Sequence, residues 1–529
     1  MRPATGRCRN KFYSGRKREG RNDPTTLVGG IMIYGFSPYG AQGEVVRVEV
    51  DVRRGLPGMD IVGLPSHEVR ESRERVRVAI RNSGFEYPAE RILVSMSPAE
   101  IPKTGAGFDL PVALALLERT GQIRLPDPVL AVGELSIRGG CIAVRGTFSA
   151  VLGAREKSIR SVIVPGASLS ILRGTRDATG SLLVVDDLRS LRTRGLRRVV
   201  PAPIPETVEA HELSMDDIQG QPLVKWVSAI GAAGFHNILL MGPPGSGKTM
   251  AARRITTLMP RLSTDQALEV ARIHSMRGME ASRVFDDPPL RMPHHGASLE
   301  GMLGGGRYCL PGEVSLAHRG TLVLDEATEF RPQVLQALRE PVENRSVAIS
   351  RAGRIEQFPA TFQLVLTSNL CPCGQLGRQQ GRCMCSMQEI ARYWRRVGSA
   401  LLDRIDLRVR TNYDAARKEA PSHAVLIDRV RRAIDRQEKR LESCPWKRNG
   451  LIPPEAVERY LPLAPDLAAL LRATMKKMEL SDRAAASVRA LSRTIADLAD
   501  RSELRTEDVI EAASLRSAGA DRLLGRERL

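Results

Sequence analysis

The feature that most constrains the fold of this chain is one octapeptide, Gly242-Pro243-Pro244-Gly245-Ser246-Gly247-Lys248-Thr249. It follows the apolar run 238–241 and precedes a segment that favours a helix, so the order is strand, glycine-rich loop, helix. Glycines let the backbone curl until successive N–H groups point at one anion, with the helix dipole behind them. Lys248 can then reach the β- and γ-phosphates, and the Thr249 hydroxyl can hold Mg²⁺. The octapeptide predicts an α/β P-loop domain that binds a nucleoside triphosphate such as ATP.

Two later segments carry the groups that nucleotide hydrolysis needs. The apolar run 321–324 ends in Asp325 and Glu326. Asp325 would complete the Mg²⁺ site, and Glu326 would orient and polarise the attacking water. A further apolar run, 362–368, ends in Asn369, whose side chain can contact the γ-phosphate or the lytic water. This role is called sensor 1.

Two arginines are candidates for contacting the phosphates. Arg404, in the segment 401–406, is offered as an arginine finger that neutralises charge on a neighbouring subunit's phosphate. Arg483, which opens a helix of the C-terminal region, could serve as sensor 2. For each arginine a surface salt bridge is the alternative interpretation.

Four of the eight cysteines are close together in the sequence, at Cys371, Cys373, Cys383 and Cys385. In a reducing cytosol, four thiolates at this spacing favour tetrahedral Zn²⁺ over disulfides. The C-x-C spacing is tighter than the common C-x₂-C, so a redox-active pair or four free thiols remain alternatives. Zinc here would brace the strand that ends in Asn369, as a structural site with no open position for catalysis.

Charge and apolar periodicity extend the analysis to the whole chain. The 79 basic and 60 acidic residues give a net charge of +19, which favours a polyanionic partner such as DNA, although a solubility surface explains it too. Apolar residues from about residue 420 recur at helical spacing. A basic stripe on one of these helices could contact DNA or simply be solvated; it consists of Arg429, Arg432, Arg436 and Arg440. Because no run of 18 apolar residues exists, we expect no membrane span and a cytoplasmic protein.

Several further motifs resemble those of the magnesium-chelatase-like AAA+ ATPase family, and most closely its ComM/YifB branch. In the P-loop region these are Pro293-His294-His295, Gly304-Gly305-Gly306, the segment 311–318 and Ser350-Arg351-Ala352. Elsewhere they are Gly63-Leu64-Pro65, Glu71-Ser72-Arg73-Glu74-Arg75-Val76, Phe108-Asp109-Leu110-Pro111 and Thr494-Ile495-Ala496-Asp497-Leu498. The similarity covers about residues 31 to 515.

Residues 1–30 are basic and lie outside the resemblance; we expect them to be a disordered extension, or a stretch upstream of a chain that really starts at Met32. For the rest of the chain the resemblance implies three domains. The first, residues 31–200, would be an α/β domain of the ribosomal-S5-domain-2-like fold, which Lon protease shares. The second, residues 212–412, would be the P-loop AAA+ domain of magnesium-chelatase type, with the four-cysteine insertion at 371–385. The third, residues 420–529, would be a helical C-terminal lid.

The resemblance also implies a function. The family forms rings, usually hexamers, with ATP sites between subunits, and ComM-like members are DNA helicases that drive branch migration during natural transformation. Two elements would face the pore of the ring: an insertion at about 293–318 and a β-hairpin at about 347–359, with Arg351 and Arg354 near its tip. A motor subunit that inserts Mg²⁺ into a porphyrin and a chaperone that remodels proteins are the alternatives.

The Lon-like part of the resemblance does not imply proteolysis. Gly107 lies where Lon carries its catalytic serine, and the segment 146–153, which corresponds to Lon's lysine-bearing segment, contains no lysine. Without a nucleophile and its base there is no acyl chemistry. We therefore expect an ATPase that is not a protease.

Overall fold

The computed structural model describes residues 31–175, 180–202, 213–279, 287–351, 354–378, 381–411 and 420–517. The predicted basic extension 1–30 and the end of the predicted lid, 518–529, lie outside these residues. Within the described ranges, no helix has both the length and the apolar character needed to cross a bilayer.

The first structural unit is an eight-stranded mixed sheet with helices packed on it. Its strands, together with the small β6–β7 pair, are β1 Ile33–Ser37, β2 Glu44–Arg53, β3 Gly58–Val62, β4 Arg91–Ser97, β5 Val129–Ala131, β6 Glu134–Leu135, β7 Cys141–Ile142, β8 Ser161–Pro165, β9 Ser181–Val185 and β10 Arg197–Val199. Its helices are α1 His67–Asn82, α2 Asp109–Arg119, α3 Thr147–Glu156 and α4 Ser190–Thr193. The strand order is β10-β9-β8-β5-β1-β2-β4-β3.

The alternation of buried and exposed residues along β2 shows that one face of this strand packs on the core. Val46 and Val48 are buried, whereas Arg47 and Glu49 between them are exposed, so one face of the strand packs on the core. Helix α2 is apolar on almost every side, and its residues from Asp109 to Leu117 are all buried. A helix of this composition is stable only inside a core.

The second unit is a five-stranded parallel sheet in the order β12-β15-β18-β11-β19, flanked by helices. Its strands and those of the adjoining hairpins are β11 Ile238–Met241, β12 Leu290–Arg291, β13 Gly304–Gly305, β14 Leu310–Pro311, β15 Thr321–Leu324, β16 Ser346–Arg351, β17 Arg354–Pro359, β18 Gln363–Ser368 and β19 Leu407–Arg410. Its helices are α5 Pro222–Gly234, α6 Lys248–Ile255, α7 Thr264–Met276, α8 Leu299–Leu303, α9 Glu313–Leu316, α10 Pro332–Ala337, α11 Arg339–Asn344, α12 Met387–Arg395 and α13 Ser399–Leu402.

The central strands β11, β15 and β18 are buried along their whole length, which is typical of a parallel sheet covered on both faces. All three run in the same direction, so the loops that follow them meet at one edge of the sheet. That edge carries the octapeptide, the Asp325-Glu326 pair and Asn369.

Strands β16 and β17 form a separate antiparallel hairpin, paired from Ser346 with Pro359 to Arg351 with Arg354. In the described part of the chain neither strand pairs with any other. The turn at residues 352–353 and the side chains of Arg351 and Arg354, which were predicted to lie at the tip, fall outside the description. The hairpin begins two residues after helix α11 ends.

The C-terminal unit consists of α14 His423–Arg440, α15 Pro454–Tyr460, α16 Pro465–Lys477, α17 Asp482–Leu498 and α18 Thr506–Ser517. Helices α14 and α17 place Leu426, Val430, Val488 and Leu491 in one core with residues of helix α5 and strand β11. This helical unit is therefore packed on the nucleotide-binding unit and shares its core.

The first two units are also joined through a shared core. Three residues of helix α7 pack with Phe36 and Phe148 of the N-terminal unit: Ala267, Val270 and Met276. The Gly146 backbone N–H donates to the Ser275 carbonyl at 3.0 Å, which ties the start of α3 to the end of α7. The N-terminal unit therefore packs on helix α7, which is the next α-helix after the P-loop helix α6.

Candidate active site

The octapeptide forms a tight loop between β11 and α6. Gly245 and Gly247 adopt φ values of 80° and 81°, which side chains with a Cβ rarely tolerate. Gly247 is the last residue before helix α6, so the loop leads directly into a helix N-terminus. The loop and the helix end together form an anion site of backbone N–H groups and helix dipole.

Lys248 is buried at the centre of this loop. Its Nζ donates to the carbonyl oxygens of Gly242 at 2.8 Å and Pro243 at 2.9 Å, and to Asn369 Oδ1 at 3.2 Å. Burial lowers the pKa of Lys248, and the charges of Asp325 and Glu326 oppose that shift. The ammonium group therefore lies among oxygen acceptors that a phosphate can replace, and it brings Asn369 to the P-loop.

The two Mg²⁺ candidates are in direct contact. The Thr249 hydroxyl donates to Asp325 Oδ1 at 2.8 Å, and Thr367 Oγ1 donates to the same oxygen at 2.5 Å. A hydroxyl and a carboxylate are the oxygen ligands that Mg²⁺ takes when it also binds substrate phosphates. The residues present therefore fit Mg²⁺, which Thr249 and Asp325 would hold.

Glu326, which follows Asp325, takes no part in this contact and has an unusual backbone conformation. It adopts a left-handed conformation, with φ 53° and ψ 53°, and its N–H donates to Thr367 Oγ1 at 3.0 Å. A non-glycine residue in this conformation is uncommon and costs roughly 1–2 kcal/mol. The turn leaves the Glu326 side chain exposed, and its charge acts on Lys248 of the P-loop.

Three polar residues that sequence reasoning did not single out support the loop. Thr367 bridges Asp325 and the backbone of Glu326, as described above. Gln221 Nε2 donates to the Ser246 carbonyl at 2.9 Å, and the Thr411 hydroxyl lies 2.6 Å from that of Ser246. The sequence offered one indication of the role of Thr367, namely a threonine one position before the end of an apolar strand. It offered no indication of the contacts that Gln221 and Thr411 make.

Arg404 and Arg483 lie together at the opposite edge of the same sheet. Asn237, the residue before β11, donates from Nδ2 to the Arg404 carbonyl at 3.0 Å, whereas the P-loop begins directly after β11. Five residues of extended chain separate those two ends by roughly 16 Å. Neither arginine is therefore near the P-loop of this chain.

Both arginines bind one carboxylate, that of Glu343. Arg404 Nη2 donates to Glu343 Oε2, and Arg483 Nη1 donates to Oε1 at 2.8 Å. Burial opposes ionisation of Glu343, but the hydrogen bonds from the two arginines outweigh it and lower the pKa of this carboxyl group. Sequence reasoning gave no role to Glu343.

The four predicted metal-ligating cysteines come together. The Sγ atom of Cys371 lies 3.3 Å from that of Cys373 and 3.6 Å from that of Cys383, and all four Sγ atoms, including that of Cys385, lie within 4.8 Å of one another. A Zn–S bond of about 2.3 Å in a tetrahedral site requires S···S separations of about 3.8 Å. The donor set and its spacing therefore fit zinc.

Backbone N–H groups support the sulfur atoms. The Leu376 N–H donates to Cys371 Sγ at 3.4 Å. A backbone hydrogen bond from Gln375, followed by contacts with the neighbouring thiols, lowers the pKa of Cys373 to about 6. Thiolates are the form that binds a metal, and the Cys373 thiol is shifted toward that form. Burial raises the pKa of Cys371. At Cys385 a backbone hydrogen bond from Cys373 is outweighed by hydrogen bonds with the neighbouring thiols, which raise the pKa of Cys385.

The cysteine insertion packs against the P-loop itself. Gly374 lies so close to Pro244 that a Cβ atom at this position would be 3.0 Å from the Pro244 Cγ atom. The Trp394 indole N–H, from helix α12, donates to the Leu370 carbonyl at 3.2 Å, just after Asn369. The insertion therefore contacts the P-loop, and helix α12, which follows the insertion, holds the segment just after Asn369.

The basic stripe on helix α14 is largely paired with acidic side chains. Arg432 and Arg436 form ion pairs with Asp500, at 3.5 and 2.6 Å, and Arg440 binds Asp497 at 2.6 Å. These contacts join α14 to the end of α17. Of the four arginines, Arg429 alone has no ion pair with a described residue.

Comparison with known proteins supplies the family. The families described as "Magnesium chelatase, subunit ChlI", "Subunit ChlI of Mg-chelatase" and "Magnesium chelatase, subunit ChlI C-terminal" match residues 214–419, 48–168 and 420–516. YifB of Escherichia coli is 38% identical over 505 residues, which are 92% of this chain and 96% of that protein. This chain belongs to the magnesium-chelatase-like ComM/YifB family of AAA+ ATPases.

Two further relatives bear on the sequence predictions. The competence protein ComM of Haemophilus influenzae is 35% identical over 501 residues, 92% of this chain and 97% of that protein. A Lon protease of Chloroflexus aurantiacus is 28% identical over 176 residues, 32% of this chain and 20% of that protein. The predicted family and the predicted fold class, with its Lon-like first part, AAA+ unit and C-terminal helices, are confirmed. Membership implies ATPase activity with ATP and Mg²⁺.

Proposed function

We propose that this protein is a homo-oligomeric ring motor, a hexamer, that uses ATP hydrolysis to move on DNA. One observation carries the assembly. Lys248, Thr249 and Asp325 lie at one edge of the parallel sheet, and Arg404 and Arg483 lie at the other, so one chain cannot bring both sets to one triphosphate. In a head-to-tail ring the second edge of each subunit meets the first edge of its neighbour, which completes the site.

The roles of the site residues follow from this arrangement. The P-loop, residues 242–249, binds the phosphates, and Thr249 with Asp325 holds Mg²⁺. Glu326 activates the water, and Asn369 acts as sensor 1. Mg²⁺ neutralises phosphate charge when bound, while Arg404 and Arg483 of the adjacent subunit stabilise the charge that develops during hydrolysis.

We propose DNA as the polymer on which the ring acts, and branch migration in recombination of incoming DNA as its task. Three observations support this proposal: the net charge of +19, the unpaired hairpin β16–β17 beside the β13–β14 insertion, and the 35% identity to ComM, which is called a competence protein. The hairpin pairs with no other described strand, and its Ile349 and Phe358 pack with Tyr39 and Cys309. The resemblance assigns this hairpin to the pore of the ring.

We also propose that the four cysteines bind one structural Zn²⁺ and that the domains divide at residues 31–200, 212–412 and 420–529. A closed four-thiolate site has no position for substrate. It would hold the insertion 371–385 against Pro244 and the sensor segment.

The test is the ATPase rate without DNA, with single-stranded DNA and with a four-way junction, using Lys248→Ala as the blank. A branch-migration motor is stimulated by DNA, most strongly by the junction. Hydrolysis that no DNA changes would contradict the DNA proposal and favour a chelatase motor subunit or a protein-remodelling chaperone. Stimulation by a porphyrin-pathway protein or by an unfolded protein would then separate these two.

A further inference from the structure

Glu343 forms ion pairs with both Arg404 and Arg483, the two arginines that we propose act on the neighbouring subunit's triphosphate. It lies in the last turn of helix α11, and each of its two carboxylate oxygens accepts a hydrogen bond from a different guanidinium. The Arg404 side chain is only 11% exposed and that of Arg483 26% exposed, whereas Glu343 is 44% exposed. Two cations this close repel each other unless a negative charge lies between them. The carboxylate supplies that charge and fixes the orientation of both groups.

The remaining contacts of Arg404 leave its guanidinium incompletely satisfied. Its Nη1 donates to the Ala400 carbonyl at 2.7 Å. Its Nε is buried and has no hydrogen-bond acceptor among the residues that the structure describes. A buried guanidinium N–H without an acceptor is costly, and an anion arriving at this edge would satisfy it.

The pair lines a cavity that carries charges of both signs. Arg404 and Arg483 line this cavity of about 500 Å³ together with Arg345, which directly follows helix α11, and with the carboxylates of Glu343 and Glu455. Burial lowers the pKa of Arg345 to about 10, and this side chain forms no ion pair with a described residue. Asp403 and Asp406 also line the cavity. Asp403 binds Arg516 at 3.3 Å, and Asp406 accepts from Ser487 at 2.7 Å.

Helices α17 and α18 are held to the nucleotide-binding unit by contacts that do not involve Glu343. The Ser481 hydroxyl donates to Asp403 at 3.2 Å, the Ser487 hydroxyl donates to Asp406, and Arg516 Nη2 donates to the Asp403 carbonyl at 2.7 Å. Removing the Glu343 charge therefore leaves the docking of the C-terminal helices in place. What changes is the position of two guanidinium groups.

We propose that Glu343 is a positioning residue that holds Arg404 and Arg483 as a pair, in the orientation in which they reach the triphosphate of the neighbouring subunit. This inference rests on the proposed action of the two arginines across subunits and is independent of DNA. Glu343 touches no substrate in its own subunit. It acts through the arginines, and without its charge they separate and hydrolysis slows.

The test is the steady-state ATPase of Glu343→Gln, compared with Glu340→Gln as the matched control. Glu340 is an exposed glutamate on the same helix with no ion pair to a described residue. Losing a preorganised charge contact in the transition state typically costs about 10²–10³ in kcat, so an indirect loss through Glu343 is expected at about 10-fold or more. The KM for ATP should stay within about 2-fold, since the P-loop edge is unchanged.

A double-mutant cycle separates positioning from a structural role. If Glu343 acts only through the arginines, Glu343→Gln costs nothing further in an Arg404→Ala/Arg483→Ala background. A loss of similar size in both backgrounds would overturn the inference, as would a Glu343→Gln enzyme with the kcat of Glu340→Gln. The proposed function fails on a different result: Arg404→Ala and Arg483→Ala that both hydrolyse ATP as fast as wild type. The melting temperature of each variant, unchanged from wild type, excludes unfolding as the cause.

Discussion

The two edges of the five-stranded sheet are built in opposite ways. At the edge where the strands end, Lys248, Thr249 and Asp325 come from contiguous motifs, and each motif directly follows a strand. At the other edge, Glu343, Arg404 and Arg483 come from three distant segments that only tertiary packing brings together. The first edge is a binding site that local sequence encodes. The second is a pair of guanidinium groups that the fold brings together and that Glu343 holds in position.

The different charges at the two edges predict that one edge binds the nucleotide and that the other accelerates its hydrolysis. One edge holds a buried lysine whose donors point at oxygen atoms, so its substitution should remove nucleotide binding. The other holds two guanidinium groups remote from that lysine, so its substitution should slow hydrolysis and spare binding. Experiments that separate affinity from turnover test this comparison directly.

The largest effect is expected for Lys248→Ala. Removing a buried, hydrogen-bonded cation from a phosphate site costs about 2–5 kcal/mol or more, so affinity for ATP should fall at least about 30-fold and hydrolysis should drop to background. Titration with a fluorescent ATP analogue measures the affinity. Tight binding by Lys248→Ala would break the assignment of the first edge.

Arg404→Ala should lower kcat about 1000-fold and leave ATP affinity within about 2-fold, because arginine fingers contribute 10³ or more to turnover alone. Equal mixing with Lys248→Ala sharpens the test. In random rings about a quarter of the interfaces then pair an intact P-loop with an intact Arg404 of the neighbour, so activity should rise above that of either variant. Mixed rings as inactive as the parents would contradict action across subunits.

The first edge could be predicted from sequence, whereas the pairing at the second could not. A P-loop, an acidic strand end and a polar strand end each have a local signature, and parallel strands bring their ends to one edge. The partner of Arg404 is a long-range contact with Glu343, which no spacing reveals. The stripe on helix α14 illustrates the same limit, because Asp497 and Asp500 reach Arg436 and Arg440 only after α17 has packed beside them.

The arrangement of the cysteine cluster could be predicted from the sequence only in part. Local spacing predicted that Cys371 and Cys373 would approach Cys383 and Cys385, and their sulfur atoms lie within 4.8 Å of one another. The contact of Gly374 with Pro244 was not predictable, since it depends on how the insertion folds back over the P-loop. The roles of all these site residues stay predictions.

A smaller effect is expected for Cys373→Ser. Loss of one thiolate should reduce zinc from one ion per chain to a small fraction and remove about 2 kcal/mol of stability, which lowers the melting temperature by about 5 °C. Metal analysis of protein purified under reducing conditions measures the first, and calorimetry the second. Cys141→Ser, outside the cluster, is the control and should keep its zinc. Wild-type protein without stoichiometric zinc would refute the site.

The smallest effect is expected for Gly374→Ala. This residue has φ +71°, and an added methyl group would press on the Pro244 ring, so we expect ATP affinity to fall about 3- to 10-fold, a cost of about 1 kcal/mol. Gly121→Ala is the matched control, because Gly121 has φ +72° but nothing within 4 Å of an added Cβ. Equal affinities for the two variants would mean that the insertion does not support the P-loop.

The position of the hairpin links it to the arginine edge of the sheet by a very short stretch of chain. Glu343 lies in the last turn of α11, and β16 begins at Ser346, three residues further on. In the ring that we propose, the carboxylate that holds two arginines at a neighbour's triphosphate would therefore also lie at the base of the element that we propose to face the pore. A change at that triphosphate would have to cross only those three residues to reach the hairpin.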